Sequence, residues 1–118
     1  MSRDQGAYVA DMVEACDRIV GYVAGMTPEV FRADAKTIDA VLRNLEVLGE
    51  AAKGVDDVTR ERAAAIPWRA VAGMRDVLIH DYFGVDLDVV VDVVFNRVAT
   101  LRRDLAALLA DIDAETRA

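Results

Sequence analysis

Length, composition and charge limit what this chain can be. Its 118 residues suit one domain with its own core, and 54% apolar residues exclude an intrinsically disordered chain. There is no apolar run of membrane-spanning length, no signal-peptide core and only one cysteine, Cys16, while a net charge of −7 counts against non-specific phosphate binding. We therefore expect a single cytoplasmic domain, residues 1–118, without membrane contact.

Apolar residues recur at helical spacing along the chain, which predicts an all-α protein. Steps of three and four over residues 8–23 predict a first helix. Thr27-Pro28-Glu29 has the features of a helix start, and the apolar stripe over residues 38–52 predicts a second long helix. A short charged segment, residues 56–65, precedes a helix that Pro67 opens and that runs to about Tyr82.

The last helix has the most regular pattern. Its apolar residues alternate at steps of four and three: Leu87, Val91, Val94, Val98, Leu101, Leu105, Leu108 and Ile112. The β-branched run Val89-Val90-Val91 could form a strand, but the helical spacing continues for twenty more residues and favours a helix. Because this helix is longer than a small bundle needs, we expect its seam to reach a partner. The sequence predicts an up-and-down bundle of four to five helices.

One segment combines side chains suited to phosphate chemistry. Arg75, His80 and Tyr82 fall within eight residues, just before Gly84. Histidine exchanges protons near neutral pH and arginine stabilises phosphate charge, whereas a lone histidine near a helix end can also be a cap. On a straight helix Arg75 and Tyr82 share a face, but His80 lies about 140° from Arg75. Arg75 and His80 can meet over one phosphate only if the helix distorts or if two subunits share the site.

Polar residues on the second long helix form a possible support for that site. Asp39, Arg43, Glu46 and Glu50 recur at four-three-four spacing. They can form a solvated face with ion pairs between Asp39 and Arg43 and between Arg43 and Glu46. Alternatively Arg43, Asn44 and Glu50 line a cleft and orient Arg75 or His80.

Four acidic residues lie beside the motif: Asp81, Asp86, Asp88 and Asp92. They could bind a divalent metal ion, but helix capping by Asp86 and helix-dipole compensation by Asp88 explain the pattern more simply. We therefore expect no metal site. Cys16 lies on the apolar stripe of the first helix and is expected to be a core residue.

The sequence resembles the HEPN superfamily, and within it the HepT-like ribonuclease toxins. The family pattern of Arg, four residues, His, one residue and Tyr matches Arg75, His80 and Tyr82. The similarity extends over most of the chain, through the segments Arg43-Asn44-Leu45-Glu46, Gly49-Glu50-Ala51, Ile66-Pro67-Trp68, Ala72-Gly73-Met74-Arg75 and Asp81-Tyr82-Phe83-Gly84-Val85-Asp86. Asp76 departs from the Asn that many HEPN proteins carry, although HepT-like members use other polar residues there.

The resemblance implies a homodimeric HEPN bundle whose two motifs face each other across a shared cleft. It implies a metal-independent, cofactor-free endoribonuclease in which His80 transfers protons and Arg75 stabilises the phosphorane. We further expect Asp39, Arg43, Asn44, Glu50 and Asp76 to support the cleft. It further implies a minimal nucleotidyltransferase (MNT) antitoxin that transfers AMP to Tyr82.

Two other functions remain open on the sequence. The acidic net charge and the long apolar seam also suit a non-catalytic helical subunit that binds a nucleotide or a nucleotidyltransferase. A metal-assisted hydrolase would instead use the acids between Asp86 and Asp92.

Overall fold

The computed structural model shows an all-helical chain and describes residues 4–74, 76 and 84–117. The helices of this part are α1 (Gln5–Val23), α2 (Pro28–Arg32), α3 (Ala35–Gly54), α4 (Asp57–Glu61), α5 (Trp68–Ala72) and α6 (residues 87–117). Helix α6 is continuous and comprises an α-helical start (Leu87–Asp92), a π-helical turn (Val93–Arg97) and a long α-helical remainder (Val98–Arg117). The all-α prediction is confirmed. In the described ranges no helix is both long and apolar enough to cross a membrane.

The core lies where α1 packs between α3 and α6. Each of these three long helices contributes fully buried side chains, among them Met12 and Ile19 from α1, Leu45 and Leu48 from α3, and Leu105 from α6. The second apolar stripe predicted from spacing is the buried face of α3. The first matches the buried face of α1 at Met12, Cys16 and Ile19, whereas Val20 is 44% exposed. Cys16 is also fully buried, so the prediction that it is a core residue is confirmed. The burial raises the pKa of its thiol to about 12.

The apolar seam of α6 differs from the prediction in register. Its buried line runs Val90, Val94, Val98 and onward, whereas Val91 is only partly buried. The π turn explains the shift, because it holds one residue more than an α turn and moves the preceding residues around the axis. From Leu101 to Ile112 the seam is buried within this chain. That this helix also reaches a partner stays a prediction.

Aspartate caps begin most of the helices. The helix start predicted at Thr27 is confirmed, since its hydroxyl accepts from the Val30 N–H at 3.2 Å. That helix is short, however, and Asp34 starts α3 anew by accepting from the Thr37 N–H at 3.0 Å. Asp56 caps α4 through the Thr59 N–H at 2.8 Å. These caps satisfy backbone donors that have no partner within the helix.

The charged caps of α3 and α4 make the free energy of unfolding depend on pH in the acid range. The backbone N–H of Thr37 is the main cause that lowers the pKa of Asp34, and that of Thr59 does the same for Asp56. Since 3.8 is the ordinary pKa, their stabilisation is complete above that pH and is lost as pH falls through the lower folded values.

We expect Asp34→Ala and Asp56→Ala to lower the free energy of unfolding at neutral pH and to lose that effect in strong acid. Urea unfolding across pH measures this dependence. Asp39→Ala removes an exposed aspartate from the body of α3 and is the matched control. If each cap variant lowered the free energy of unfolding by the same amount at every pH, the role of the charged caps would be contradicted.

Candidate functional site

Helix α5 leads the chain into the Arg75 motif, and Trp68 anchors its first turn. The indole Nε1–H of Trp68 donates to the carbonyl oxygens of Arg60 and Ala63, both at 3.1 Å. The Arg60 guanidinium lies 5.7 Å from the ring centroid and donates through Nη2 to the Ala52 carbonyl at 2.8 Å. Trp68 is 7% exposed. The start of α5 is thus tied to α4 and to the C-terminal end of α3.

The other end of α5 packs directly on the backbone of α3 at Gly49. A methyl group at Gly49 would lie 3.2 Å from the Val71 carbonyl oxygen and 3.7 Å from that of Ala72. A side chain at this position would require the Val71 carbonyl to move by a few tenths of an ångström, so glycine suits the close approach. Met74, the last described residue before Arg75, has its Cβ 3.9 Å from the same point and is buried. Helix α3 therefore sets where the chain enters the motif.

The three motif residues themselves, Arg75, His80 and Tyr82, lie outside the described residues, as does Asp81. Their predicted arrangement, with His80 turned away from Arg75, stays a prediction. Asp76 is described: it is exposed, and its backbone N–H donates to the Gly73 carbonyl at 3.0 Å.

The predicted supporting residues of α3 divide between a groove and an exposed surface. Arg43 and Asn44 line a cavity of about 350 Å³ between α1 and α3, and Arg43 and Glu50 line an adjoining one of about 340 Å³. The two cavities share Asp11, Arg43 and Val47 and so form one groove. Asp39 is exposed and lines neither cavity.

The charges of this groove are mostly negative. Its lining carries two guanidinium groups and four carboxylates: Arg18, Arg43, Asp11, Glu14, Glu46 and Glu50. Arg18 is paired with Glu14 at 2.7 Å, and Glu50 is paired with Lys53 at 3.2 Å. By itself such a surface does not attract a phosphate backbone.

Asn44 is the buried polar residue of this groove, 6% exposed, with its amide donating to the Ala40 carbonyl at 2.9 Å. The ion pairs expected along α3, Asp39–Arg43 and Arg43–Glu46, are not among the contacts of the described residues. Whether these α3 side chains orient Arg75 or His80 stays a prediction.

The acids after the motif each have a structural partner. Asp86 caps α6 through the Val89 N–H at 3.3 Å, as expected, and Asp88 pairs with Arg32 at 2.7 Å. Asp92 accepts from Asn96 at 2.9 Å and from Arg97 at 2.8 Å. Within the described ranges no three potential ligands come together to hold a metal ion.

Sequence reasoning missed an apolar cavity between α5 and the π turn of α6. Its volume is about 250 Å³, and its described lining is Ala70, Val71, Met74, Val89, Asp92, Val93, Arg97, Val98 and Leu101. Spacing did not indicate it because the π turn changes which residues of α6 face α5. The pair Asp92 and Asn96 could have been noticed at i,i+4 spacing, whereas the i,i+5 partner Arg97 depends on the π turn.

The bundle and its motif-bearing segment define a HEPN-type helical domain. The sequence profile of the family described as "Ribonuclease HepT-like" matches residues 12–108. The chain belongs to this HepT-like ribonuclease family, which confirms the resemblance read from the motif.

Similar proteins come from archaea and bacteria. One from Thermococcus cleftensis, named "Probable ribonuclease HepT", is 39% identical over 86% of this chain and 93% of its own length. One from Methanocaldococcus jannaschii, named "Putative RNase", is 34% identical over 96% of this chain and 93% of its own. A third, from Caldanaerobacter subterraneus and also named "Putative RNase", is 32% identical over 86% of this chain and 91% of its own length. No solved structure gives a significant match.

Proposed function

We propose that this protein is a metal-independent endoribonuclease, the toxin of a HEPN–nucleotidyltransferase pair. The observation that carries the proposal is membership of the HepT-like ribonuclease family over residues 12–108, together with the complete motif Arg75, His80 and Tyr82. The RNase names of its relatives support the same activity. The protein acts in the cytoplasm on RNA.

The proposed reaction needs two kinds of side chain. The ribose 2′-oxygen attacks the adjacent phosphorus, the bond from phosphorus to the 5′-oxygen breaks, and a cyclic phosphate and a 5′-hydroxyl result. His80 transfers protons between the 2′-hydroxyl and the leaving oxygen, and Arg75 stabilises the charge of the phosphorane. The nucleophile belongs to the substrate, so a metal-activated water is not required.

The proposed active unit is a homodimer. On a straight helix Arg75 and His80 of one chain lie about 140° apart, so two copies facing each other can each supply one group to a phosphate. Light scattering at micromolar concentration is expected to give a dimer mass, and a monomer would contradict the shared cleft.

The first test of the proposed function is RNA cleavage by the purified protein in excess chelator. We expect cleavage products that end in a cyclic phosphate, with unchanged rates when the chelator is added. Loss of activity in chelator that returns with a divalent ion would contradict metal independence and favour the acids between Asp86 and Asp92. Preparations of His80→Ala made in parallel serve as the control for contaminating nuclease.

The second test concerns the antitoxin. Transfer of AMP joins the Tyr82 phenolic oxygen to the α-phosphorus of ATP and releases pyrophosphate. Intact mass of the protein purified with its genetically neighbouring nucleotidyltransferase is expected to show one or more AMP units, absent in Tyr82→Phe. The modified form is expected not to cleave RNA. Cleavage at the same rate by both forms would contradict neutralisation at Tyr82.

A second candidate is a non-catalytic subunit that binds a nucleotide or a nucleotidyltransferase. The observation that favours it is the groove between α1 and α3, where four carboxylates face two guanidinium groups. Such a surface suits a basic protein partner better than RNA. RNA cleavage that is lost in Arg75→Ala would contradict this candidate.

A further inference from the structure

The apolar cavity between α5 and α6 has the size and shape of a small ligand site. Its volume of about 250 Å³ lies below the roughly 300–1,000 Å³ of sites for drug-sized ligands, which suits a single ring system. Its described walls are mostly apolar, with Val71 and Met74 on one side and Val93, Val98 and Leu101 on the other. Apolar walls favour the face of a ring over a charged group, which would lose its hydration there.

Polar groups at the cavity's edge are already held in place. The two carboxylate oxygens of Asp92 accept from Asn96 Nδ2 at 2.9 Å and from Arg97 Nε at 2.8 Å. These bonds keep the pKa of Asp92 below its ordinary value, so the carboxylate is charged at neutral pH. The side chain of Arg97 is 71% exposed, and its described contact engages Nε alone. The Asp92 carboxylate, an acceptor held in place, therefore lies beside the Arg97 guanidinium, whose two Nη groups have no described contact.

The π turn produces this edge. Asp92 precedes the turn, and Asn96 and Arg97 lie within it. Because a π turn is wider than an α turn, the i and i+5 side chains come close enough to pair, as Asp92 and Arg97 do. Turns of this kind occur frequently at functional sites.

The cavity lies next to the motif along the chain. Met74 is part of its lining and directly precedes Arg75 in the sequence. Each base of RNA is linked through its ribose to a neighbouring phosphate. A base held in the cavity would therefore place that phosphate near Met74, the residue that precedes Arg75 in the sequence.

We propose that this cavity holds a guanine base of the RNA and sets the base preference of cleavage. The apolar walls contact the ring faces, and the two Nη groups of Arg97 donate to O6 and N7 while its Nε stays bonded to Asp92, which orients the guanidinium. The inference rests on the proposed ribonuclease function, for which it names a specificity site.

The test compares four oligoribonucleotides that differ only in the base at one cleavage position. The parent is expected to show kcat/KM about tenfold higher for guanine than for the other bases, the discrimination of one good bidentate pair. Ala70 is exposed and lines the cavity, so Ala70→Leu fills the cavity without opening the core. Ala70→Leu is expected to lose the guanine preference mainly through a higher KM for the guanine substrate. Arg97→Gln is expected to lose it because the guanidinium that donates to the base is gone.

Ala110→Leu is the matched control, because Ala110 is an exposed alanine of α6 away from this cavity. It is expected to keep the parent's preference. Equal preference in the parent, Ala70→Leu and Arg97→Gln would overturn the inference and leave the ribonuclease function standing. A dimer in the parent that becomes a monomer in Ala70→Leu would also overturn it, because a second copy would then cover the cavity.

A titration with mononucleotides separates this inference from the proposed function. GMP and CMP are added to the unmodified protein, and binding is followed by amide NMR shifts. If the protein cleaves no RNA, the function fails, and the titration alone decides on the cavity. Saturable GMP binding that Ala70→Leu weakens supports a guanine pocket, whereas equal shifts with GMP and CMP, or none, overturn it.

Discussion

Replacing His80 by alanine is expected to lower the rate of RNA cleavage by about 10²–10⁴-fold, the usual contribution of a general acid–base group. His80 is the only histidine of the chain, so no neighbouring imidazole can take over the proton. The measurement is single-turnover cleavage of a labelled oligoribonucleotide. Binding of the same RNA is expected to change little, since the proton transfer occurs only in the transition state.

Arginine variants complete this test. Arg75→Lys retains a positive charge but not the planar fork, so its activity is expected to fall between those of the parent and Arg75→Ala. The exposed Lys36→Ala is a control for general effects of substitution. A His80→Ala protein that cleaves as fast as the parent would contradict the proton-transfer role.

Replacing Trp68 by alanine is expected to cost about 3–5 kcal/mol of unfolding free energy, the range for large aromatic residues removed from a core. The loss has three sources in the structure: the buried ring, the indole N–H shared by the Arg60 and Ala63 carbonyls, and the guanidinium that lies 5.7 Å from the ring centroid. Urea unfolding followed by far-ultraviolet circular dichroism measures the change.

Trp68→Phe separates the ring from its hydrogen bonds. It keeps most of the apolar contact and removes the indole donor, but the Arg60 and Ala63 carbonyls still accept from the backbone N–H groups of Ala63 and Ile66. We therefore expect a smaller cost of about 0.5–1.5 kcal/mol. Arg60 Nε is already buried without a hydrogen-bond partner. The contact between α4 and α5 is therefore sensitive to the loss of another hydrogen bond. A Trp68→Ala protein within about 1 kcal/mol of the parent would show that α5 is held mainly by its Gly49 contact.

Much of the fold follows from local sequence signals. The caps at Thr27 and Asp86 and the apolar stripes of α1 and α3 could be predicted because each depends on residues within one or two turns. The spacing did not predict where the helix that begins at Thr27 would end. The Asp34 cap falls inside a stretch whose apolar spacing continues without a visible interruption.

The register of α6 and the apolar cavity could not be predicted, since both depend on contacts between distant segments. Val90 rather than Val91 is buried because the π turn intervenes, and no single residue of 93–97 signals that turn. The motif residues could be found from their spacing and family resemblance. Local spacing can also predict a contact that does not form. The spacing on α3 predicted an ion pair between Arg43 and Glu46, whereas the ion pair described on this helix joins Glu50 to Lys53.

The π turn of α6 also affects how relatives of this chain should be compared. A helix that carries one surplus residue returns to regular α geometry when that residue is deleted, but its first turns then rotate by about 100° against the rest. Val90 would leave the core, and the edge contact between Phe95 and Phe31, with ring centroids 5.7 Å apart, would break. An alignment of relatives without the surplus residue therefore needs a one-residue gap inside this helix, where alignment procedures usually resist placing one.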